Sequence, residues 1–435
     1  MNNTIFAKLF KQQSILLTAL IVLITLMTKA HANLTIEISG VGSTQIPIHI
    51  ATFEGNNQLT SSLNKTIKDN LMRSGFFKHM DATANIALNE NSVIDPTAWK
   101  GIGIDALVAG SITPLADGQL DVRFNLHDTT QQKSLGQFSY VIKPDNLRLT
   151  AHKISDFIYQ QFIGEPGIFS TRIAYVERFQ GNNKLIIADA DGANSQVALV
   201  SKEPIISPSW SPDGNQLAYV SFETKKPVIF IHTLATGKRV PIANFIGSNS
   251  APTWSPNGKT LALVLTKDGG SQIYTMQPEG QSLKQLTKTG GINTEPVFNQ
   301  KGNKIFFTSD RSGGPQIYSM NVDGSDVTRV TFNGNYNISP SISSDGTLLS
   351  YITRRQGQFK VATLNLDTGA EALITDTTED ESPSFSPNGR FILFATKRNN
   401  QGILSMVSKN GAVKQQLISS KGNILEPTWG PYMAD

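Results

Sequence analysis

Few residues in this chain are of types and spacings that could do covalent chemistry. There is no cysteine, so thiolate catalysis and disulfides are excluded. The six histidines are His31, His49, His79, His127, His152 and His232, and no two stand at a metal-ligand spacing. Asp189-Ala-Asp191-Gly192 opens like a calcium loop, but an EF-hand needs Glu at its twelfth position and Val200 stands there. A tight turn accounts for those four residues better. No Gly-x-Ser-x-Gly elbow occurs, and 435 residues leave no room for an α/β-hydrolase domain beside the repeats described next. The chemistry on offer is that of surfaces.

Those surfaces are set by a repeat. Six copies of one motif run through the chain: Pro208-Ser-Trp210-Ser-Pro-Asp-Gly214, Pro252-Thr-Trp254-Ser-Pro-Asn-Gly258, Pro296-Val-Phe298, Pro340-Ser-Ile342, Pro383-Ser-Phe385 and Pro427-Thr-Trp429. The prolines step by 44, 44, 44, 43 and 44 residues. A period in that range with strand-rich content is the signature of a β-propeller. Within one copy, Thr253-Trp254-Ser255, Leu261 to Thr266, Gln272 to Gln277 and Ser282 to Thr287 read as four strands joined by Gly- and Pro-bearing turns. Residues 172–435 number 264, which is 44 for each of six blades. The chain enters at a second strand and leaves with an orphan first strand, Pro427-Thr-Trp429. Pairing the two ends closes the ring and removes its edges. The expected fold is an α+β N-terminal domain followed by an all-β six-bladed β-propeller closed by the C-terminal strand. The first strands should line the channel, with the Trp or Phe after each proline packed between blades.

Two loop sets share one face of such a ring. Those between second and third strands are basic: Arg178, Lys225-Lys226, Lys267, Arg311, Arg354-Arg355 and Lys397-Arg398. Those entering each first strand carry Glu203, Glu295, Glu379-Asp380-Glu381 and Glu426. A basic outer ring around an acidic mouth is one consequence. Solvated loops with weak inter-blade ion pairs are the other.

At the start of the chain, Lys8 and Lys11 precede the apolar run Ile15 to Met27, and Ala30-His31-Ala32 follows. This is the layout of a signal peptide, residues 1–32, cleaved after Ala32. The run is too short for the ~20 residues that span a bilayer, so no membrane span is expected in the mature protein. Removing the three lysines of residues 1–32 from 38 basic residues leaves 35 against 34 acidic ones. That balance gives no footprint for nucleic acid. A large cysteine-free core suits the periplasm.

Residues 44–163 mix patterns. Ile46 to Phe53 reads as a strand, and Leu59, Leu63, Ile67 and Leu71 read as an amphipathic helix ending near Gly75. Ile104 to Ile112, Leu120 to Leu126 and Leu135 to Ile142 read as strands. A second helix carries Ile154, Phe157, Ile158 and Phe162. Helices on a small mixed sheet are expected, with 164–171 as a linker. Ahead of this domain, residues 33–43 contain Leu34-Thr35-Ile36-Glu37-Ile38-Ser39, an alternating strand before Gly40 and Gly42. Such a segment is either a flexible strand that adds to another protein's sheet edge or a strand of its own domain.

With its signal sequence, its junction Gly164-Glu-Pro-Gly-Ile-Phe-Ser-Thr-Arg-Ile-Ala-Tyr-Val176, its six blade motifs and the Thr308-Ser-Asp-Arg311 stretch, the chain resembles the TolB family of the periplasmic Tol–Pal system over essentially its whole mature length. The resemblance implies a non-enzymatic, monomeric hub with no cofactor. It implies binding of the lipoprotein Pal over the propeller mouth, through Ser248, Ala251, Thr294 and Glu295. The family often carries histidine where this chain has Ser248. It also implies binding of the TolA C-terminal domain through Leu34, Thr35, Ile36, Glu37, Ile38 and Ser39, in support of outer-membrane integrity and constriction at division. The competing class is an exported propeller enzyme of lactonase or sugar-dehydrogenase type, with a metal cation in the channel beside the acidic mouth.

Overall fold

The computed structural model describes residues 35–38, 45–82, 87–418 and 422–433. Residues 1–32, Leu34 and Ser39 lie outside them.

After β1 (Thr35–Ile38), the N-terminal domain is built from β2 (Ile46–Ile50), β3 (Glu54–Gly55), helix α1 (Asn57–Arg73), β4 (Phe77–His79), helix α2 (Pro96–Gly101), β5 (Ala106–Pro114), β6 (Leu120–Asp128), β7 (Lys133–Ile142) and helix α3 (Leu147–Ile163). The sheet order is β4-β2-β5-β6-β7. Pairs β2–β4 and β2–β5 are parallel, whereas β5–β6 and β6–β7 are antiparallel, which makes the sheet mixed. Asn56 caps α1, its side chain accepting from the backbone N–H of Gln58 and Leu59. The Leu63, Ile67 and Leu71 stripe of α1 and Ala151, Ile154 and Ile158 of α3 share one core with Val108, Val122 and Phe124. Gly164, at φ 80°, ends α3 in the left-handed conformation that a Cβ disfavours.

Blade one contains β8 (Arg172–Phe179), β9 (Asn182–Asp189) and β10 (Gln196–Ser201). Blade two is β11 (Ile205–Trp210), β12 (Gln216–Ser221), β13 (Val228–Thr233) and β14 (Lys238–Ala243). Blade three is β15 (Asn249–Trp254), β16 (Leu261–Leu265), β17 (Gln272–Met276) and β18 (Lys284–Gln285). Blade four is β19 (Asn293–Phe298), β20 (Lys304–Ser309), β21 (Gln316–Asn321) and β22 (Thr328–Arg329). Blade five is β23 (Asn337–Ile342), β24 (Leu348–Arg355), β25 (Gln358–Asn365) and β26 (Glu371–Leu373). Blade six is β27 (Glu381–Phe385), β28 (Phe391–Arg398), β29 (Gln401–Ser408) and β30 (Val413–Ile418), and β31 (Asn423–Trp429) pairs antiparallel with β8. The six-bladed ring is therefore closed by the C-terminal strand.

The motif residues act locally and between blades. Ser211 Oγ accepts from the backbone N–H of Gln216 and donates to Asp213, fixing the Pro-Asp-Gly turn, with Gly214 at φ 69°. Trp210 packs with Ala174, Val176 and Leu185 of blade one, and its Nε1 donates to the carbonyl of Thr428 at 3.4 Å. Trp254 packs in turn on Ala218 and Val220 of blade two. These rings hold blades together.

Three expectations are corrected. First strands begin about three residues before the proline, because a bulge there absorbs the missing N–H. The outer strands of blades three and four shrink to two residues each, so Ser282 to Thr287 is not a full strand. The segment Thr35–Ile38 is not a strand of its own domain. It pairs antiparallel with β30, in register Thr35↔Gln416, Ile36↔Gln415, Glu37↔Lys414 and Ile38↔Val413, as the fifth strand of blade six.

A buried ionic joint ties the domain to the ring. Arg148 donates through Nε to Asp189 at 2.8 Å and pairs also with Asp191, while Arg73 Nη1 lies 3.5 Å from Asp191. Gln415 Nε2 of β30 donates to the carbonyl of Arg73. Arg390 of blade six forks onto Glu165 of the linker. Burial opposes ionisation of Asp191, but the guanidiniums of Arg73 and Arg148 outweigh it and hold its carboxyl below the usual range. A depressed pKa gives stability that is present above the unfolded value near 4 and is lost as pH falls through the folded one. Asp191→Ala leaves the buried Arg73 without this partner and should cost roughly 3–5 kcal/mol in urea unfolding at pH 7. The difference from wild type should narrow toward pH 3.

Candidate binding face at the mouth of the propeller

Each first strand carries the same backbone device. The residue before the motif proline has a positive φ: Ser207 52°, Ala251 47°, Glu295 53°, Ser339 54°, Ser382 50° and Glu426 54°. At each of these points the register breaks. In blade two, for example, Ile206 pairs with Val220 and the next pair is Ser209 with Ala218. Two residues face one, which defines a β-bulge, and the proline occupies the position whose ladder bond is already lost. Holding six non-glycine residues left-handed costs on the order of 1 kcal/mol each. The return is a ring of backbone corners that point the preceding residue into the channel. These six residues and their prolines line one cavity of about 200 Å3.

Two of the six are carboxylates, on opposite blades of the ring. Glu295 in blade four accepts from the backbone N–H of Ser339 (2.8 Å), Ser339 Oγ (2.8 Å) and Thr308 Oγ1 (2.7 Å). Glu426 in blade one accepts from the backbone N–H of Ser207 at 3.3 Å. Each acid thus reaches the bulge of the following blade. Burial, then the charge of Glu381 and that of Glu295, push the Glu426 carboxyl up to about 7. Burial also raises Glu381, whose Oε1 is buried with no hydrogen-bond partner.

The structure places the residues named from sequence as follows. Ala251 and Glu295 meet in the bulge ring. Thr294 precedes the bulge and pairs with Thr308, and Ser248 sits in the loop above, its N–H donating to Thr266 Oγ1 at 2.7 Å. All four are half-buried. Thr35 to Ile38 lie on the outer edge of blade six instead. Of the expected charge rings, Lys225 pairs with Glu203 and Lys397 with Glu379 in exposed contacts worth little individually. The carboxylates that line the axial cavity are Glu295 and Glu426, with Glu381 near enough to Glu426 to raise it.

Two features escaped the sequence reading. Three residues before the proline, Asn249, Asn293 and Asn337 are fully buried. Each holds down the loop that enters its blade. Asn249 Nδ2 donates to the carbonyls of Phe245 and Pro227, Asn293 Nδ2 to Thr289 Oγ1 and the Gly291 carbonyl, and Asn337 Nδ2 to Gln316 Oε1 and the Asn333 carbonyl. Asp380 occupies the equivalent position in blade six, accepting from Thr375 Oγ1 and the Val361 N–H. The Asn-x-x-Pro spacing was the available signal. The second feature is that His152, Asp189 and Asp191 converge, with possible ligand atoms within 4.8 Å of one another. Both carboxylates are already engaged by Arg148, and Asp191 by Arg73 as well, so a cation there would have to displace guanidiniums.

Fold and face together define a two-domain β-propeller protein, an α+β module followed by a six-bladed ring with a built mouth. No helix among the described residues is long and apolar enough to cross a membrane. The TolB amino-terminal domain family matches residues 34–135, and the TolB beta propeller domain family matches residues 159–433. The chain is 64% identical over 406 residues to the Tol-Pal system protein TolB of Polaromonas sp. strain JS666, covering 93% of this chain and 95% of that one. The same-named protein of Nitrosomonas europaea is 57% identical over 416 residues, covering 96% and 98%. The crystal structure of TolB from Acinetobacter baumannii matches with a TM-score of 0.84 at 37% identity, over 92% of this chain and 100% of that chain. The chain belongs to the TolB family.

The raised Glu426 carboxyl has a measurable sign. A folded pKa of about 7 against an ordinary value of 4.5 means that the native state binds the extra proton between those limits. Stability therefore falls as pH rises from about 4.5 to 7. Glu426→Gln should be more stable than wild type at pH 8, by on the order of 2 kcal/mol, and close to it at pH 4, by thermal or urea unfolding.

Proposed function

We propose that this protein is a non-enzymatic periplasmic scaffold of the Tol–Pal system. It binds Pal at the propeller mouth and the TolA C-terminal domain through its mature N-terminus, and so supports outer-membrane integrity and envelope constriction at division. In this reading, residues 1–32 are removed, 33–43 form the TolA-binding segment, 44–163 the α+β domain, 164–171 the linker and 172–435 the propeller. The mature chain acts as a monomer without a cofactor.

The observation that carries the reading is the pairing of β1. Four residues hold it to β30 along a single edge. A strand bound only through one edge can be exchanged for the edge of another sheet, with backbone hydrogen bonds supplying affinity in both places. Its docking strand also carries Gln415, which reaches the backbone of Arg73, and Arg73 faces Asp191 of blade one. Docking of β1 is thereby linked to the joint between the domains, and any effect of Pal on that joint acts equally on the segment, because linkage is reciprocal.

Deletion of residues 33–43 should abolish capture of TolA and weaken Pal binding, both read by titration of the purified chain. Equal Pal affinity with and without the segment would make the two sites independent. At the mouth, Thr294→Arg should abolish Pal capture with the melting temperature intact, since a buried unpaired charge costs several kcal/mol of binding. Unchanged affinity would move the Pal site off this face.

A second reading rests on the axial carboxylates Glu295 and Glu426 and their neighbour Glu381. It is an exported lactonase or sugar dehydrogenase with a metal in the channel. Metal-dependent lactone hydrolysis or dye reduction that disappears in Glu295→Gln would establish it in place of the scaffold.

A further inference from the structure

The mouth is not uniform around its circumference. The loops entering blades three, four and five each raise one large apolar side chain into solvent. These are Ile246 at 81% exposure, Ile292 at 53% and Phe332 at 70%. The loops entering blades two and six carry charges at this level instead, Lys202 and Glu203 in one, Asp376 and Glu379 in the other. Three consecutive exposed apolar residues on one rim are unlike the single scattered ones that any surface carries.

These side chains are also held in place. The buried amides of Asn249, Asn293 and Asn337 pin the three loops from beneath, each through two or more hydrogen bonds. Binding through such loops loses little ordering entropy. Cations surround them. Arg329 lies 5.1 Å over the Phe332 ring, Arg311 donates to Asn293 Oδ1 at 2.6 Å, and Arg354 stands over Phe359. None of these three guanidiniums has an ion-pair partner among the described residues. Lys267 and Arg355 on this half are paired with Asp268 and Glu371, as Lys225, Lys397 and Lys414 are with carboxylates across the ring. Arg311, Arg329 and Arg354 are thus the guanidiniums of this sector left for a partner.

We infer that the rim over blades three to five is the energetic centre of a protein-docking surface, with Ile246, Ile292 and Phe332 as anchors. The partner it fits presents apolar hollows bordered by carboxylates, which meet the unpaired guanidiniums. The inference rests on the reading of the mouth as the Pal-binding face, and it places Pal off the propeller axis. The rim over blades six and two, whose entering loops carry charges in place of apolar anchors, then contributes little to its affinity.

The test titrates the purified full chain with the soluble domain of Pal. Ile246→Asp and Phe332→Asp should each weaken binding roughly thirtyfold or more, as loss of a central anchor does. Lys225→Ala and Lys397→Ala should stay within about twofold. Affinity should fall with added salt, and less steeply in Arg329→Gln/Arg354→Gln. Because the anchors are exposed, melting temperatures should not move. Ile246→Ser and Phe332→Ser replace the aspartates if they do. Wild-type binding with anchor variants within threefold of it overturns the inference and leaves the Pal reading standing. No binding by the wild type removes the Pal reading, and this inference with it.

Discussion

Everything in this molecule depends on one strand pairing, that of β31 with β8 from the far end of the propeller sequence. The register from Asn423↔Arg178 to Trp429↔Ile173 gives blade one its inner strand and leaves the ring without an open edge there. It also delivers Trp429, whose indole donates to Thr171 at the domain junction, and Glu426, which completes the bulge ring. Without this closure, the ring, the mouth and the seat of the N-terminal domain would all be lost together.

Closure lets the blades behave as repeats with individual endowments. The backbone corner before each proline is the same in all six, but the side chain placed there is Glu in two, Ser in three and Ala in one. One scaffold thus sets positions while single residues set chemistry. The acidic residues gather toward the axis, where burial makes their charge expensive, and the pinned loops set apolar and charged sectors at the rim. On protein-docking faces in general, apolar anchors supply affinity and charge supplies orientation.

The joint between domain and ring uses buried ions, which orient strongly even where they contribute little net stability. Arg73 is its centre. Its guanidinium meets blade one, and its carbonyl meets blade six beside the strand on which β1 docks.

The six blades, their 44-residue period, the closing strand and the two long helices α1 and α3, though not the short α2, were legible in the sequence. These follow from local turn chemistry and hydrophobic periodicity, which each segment carries whatever lies around it. Glu295 and Glu426 were legible as mouth residues, because loop position follows from strand order, whereas Glu203 and Glu379 form exposed ion pairs. The remaining features arise only from long-range packing. The left-handed bulge residues are Ser, Ala and Glu, types that announce no positive φ. The roles of Asn249, Asn293 and Asn337 depend on which loop folds over them. Arg73, Arg148 and Asp191 are far apart in sequence, and β1 is paired with a strand more than 370 residues away. Contacts of that span have no periodic signal, because only the closed ring brings their ends within reach.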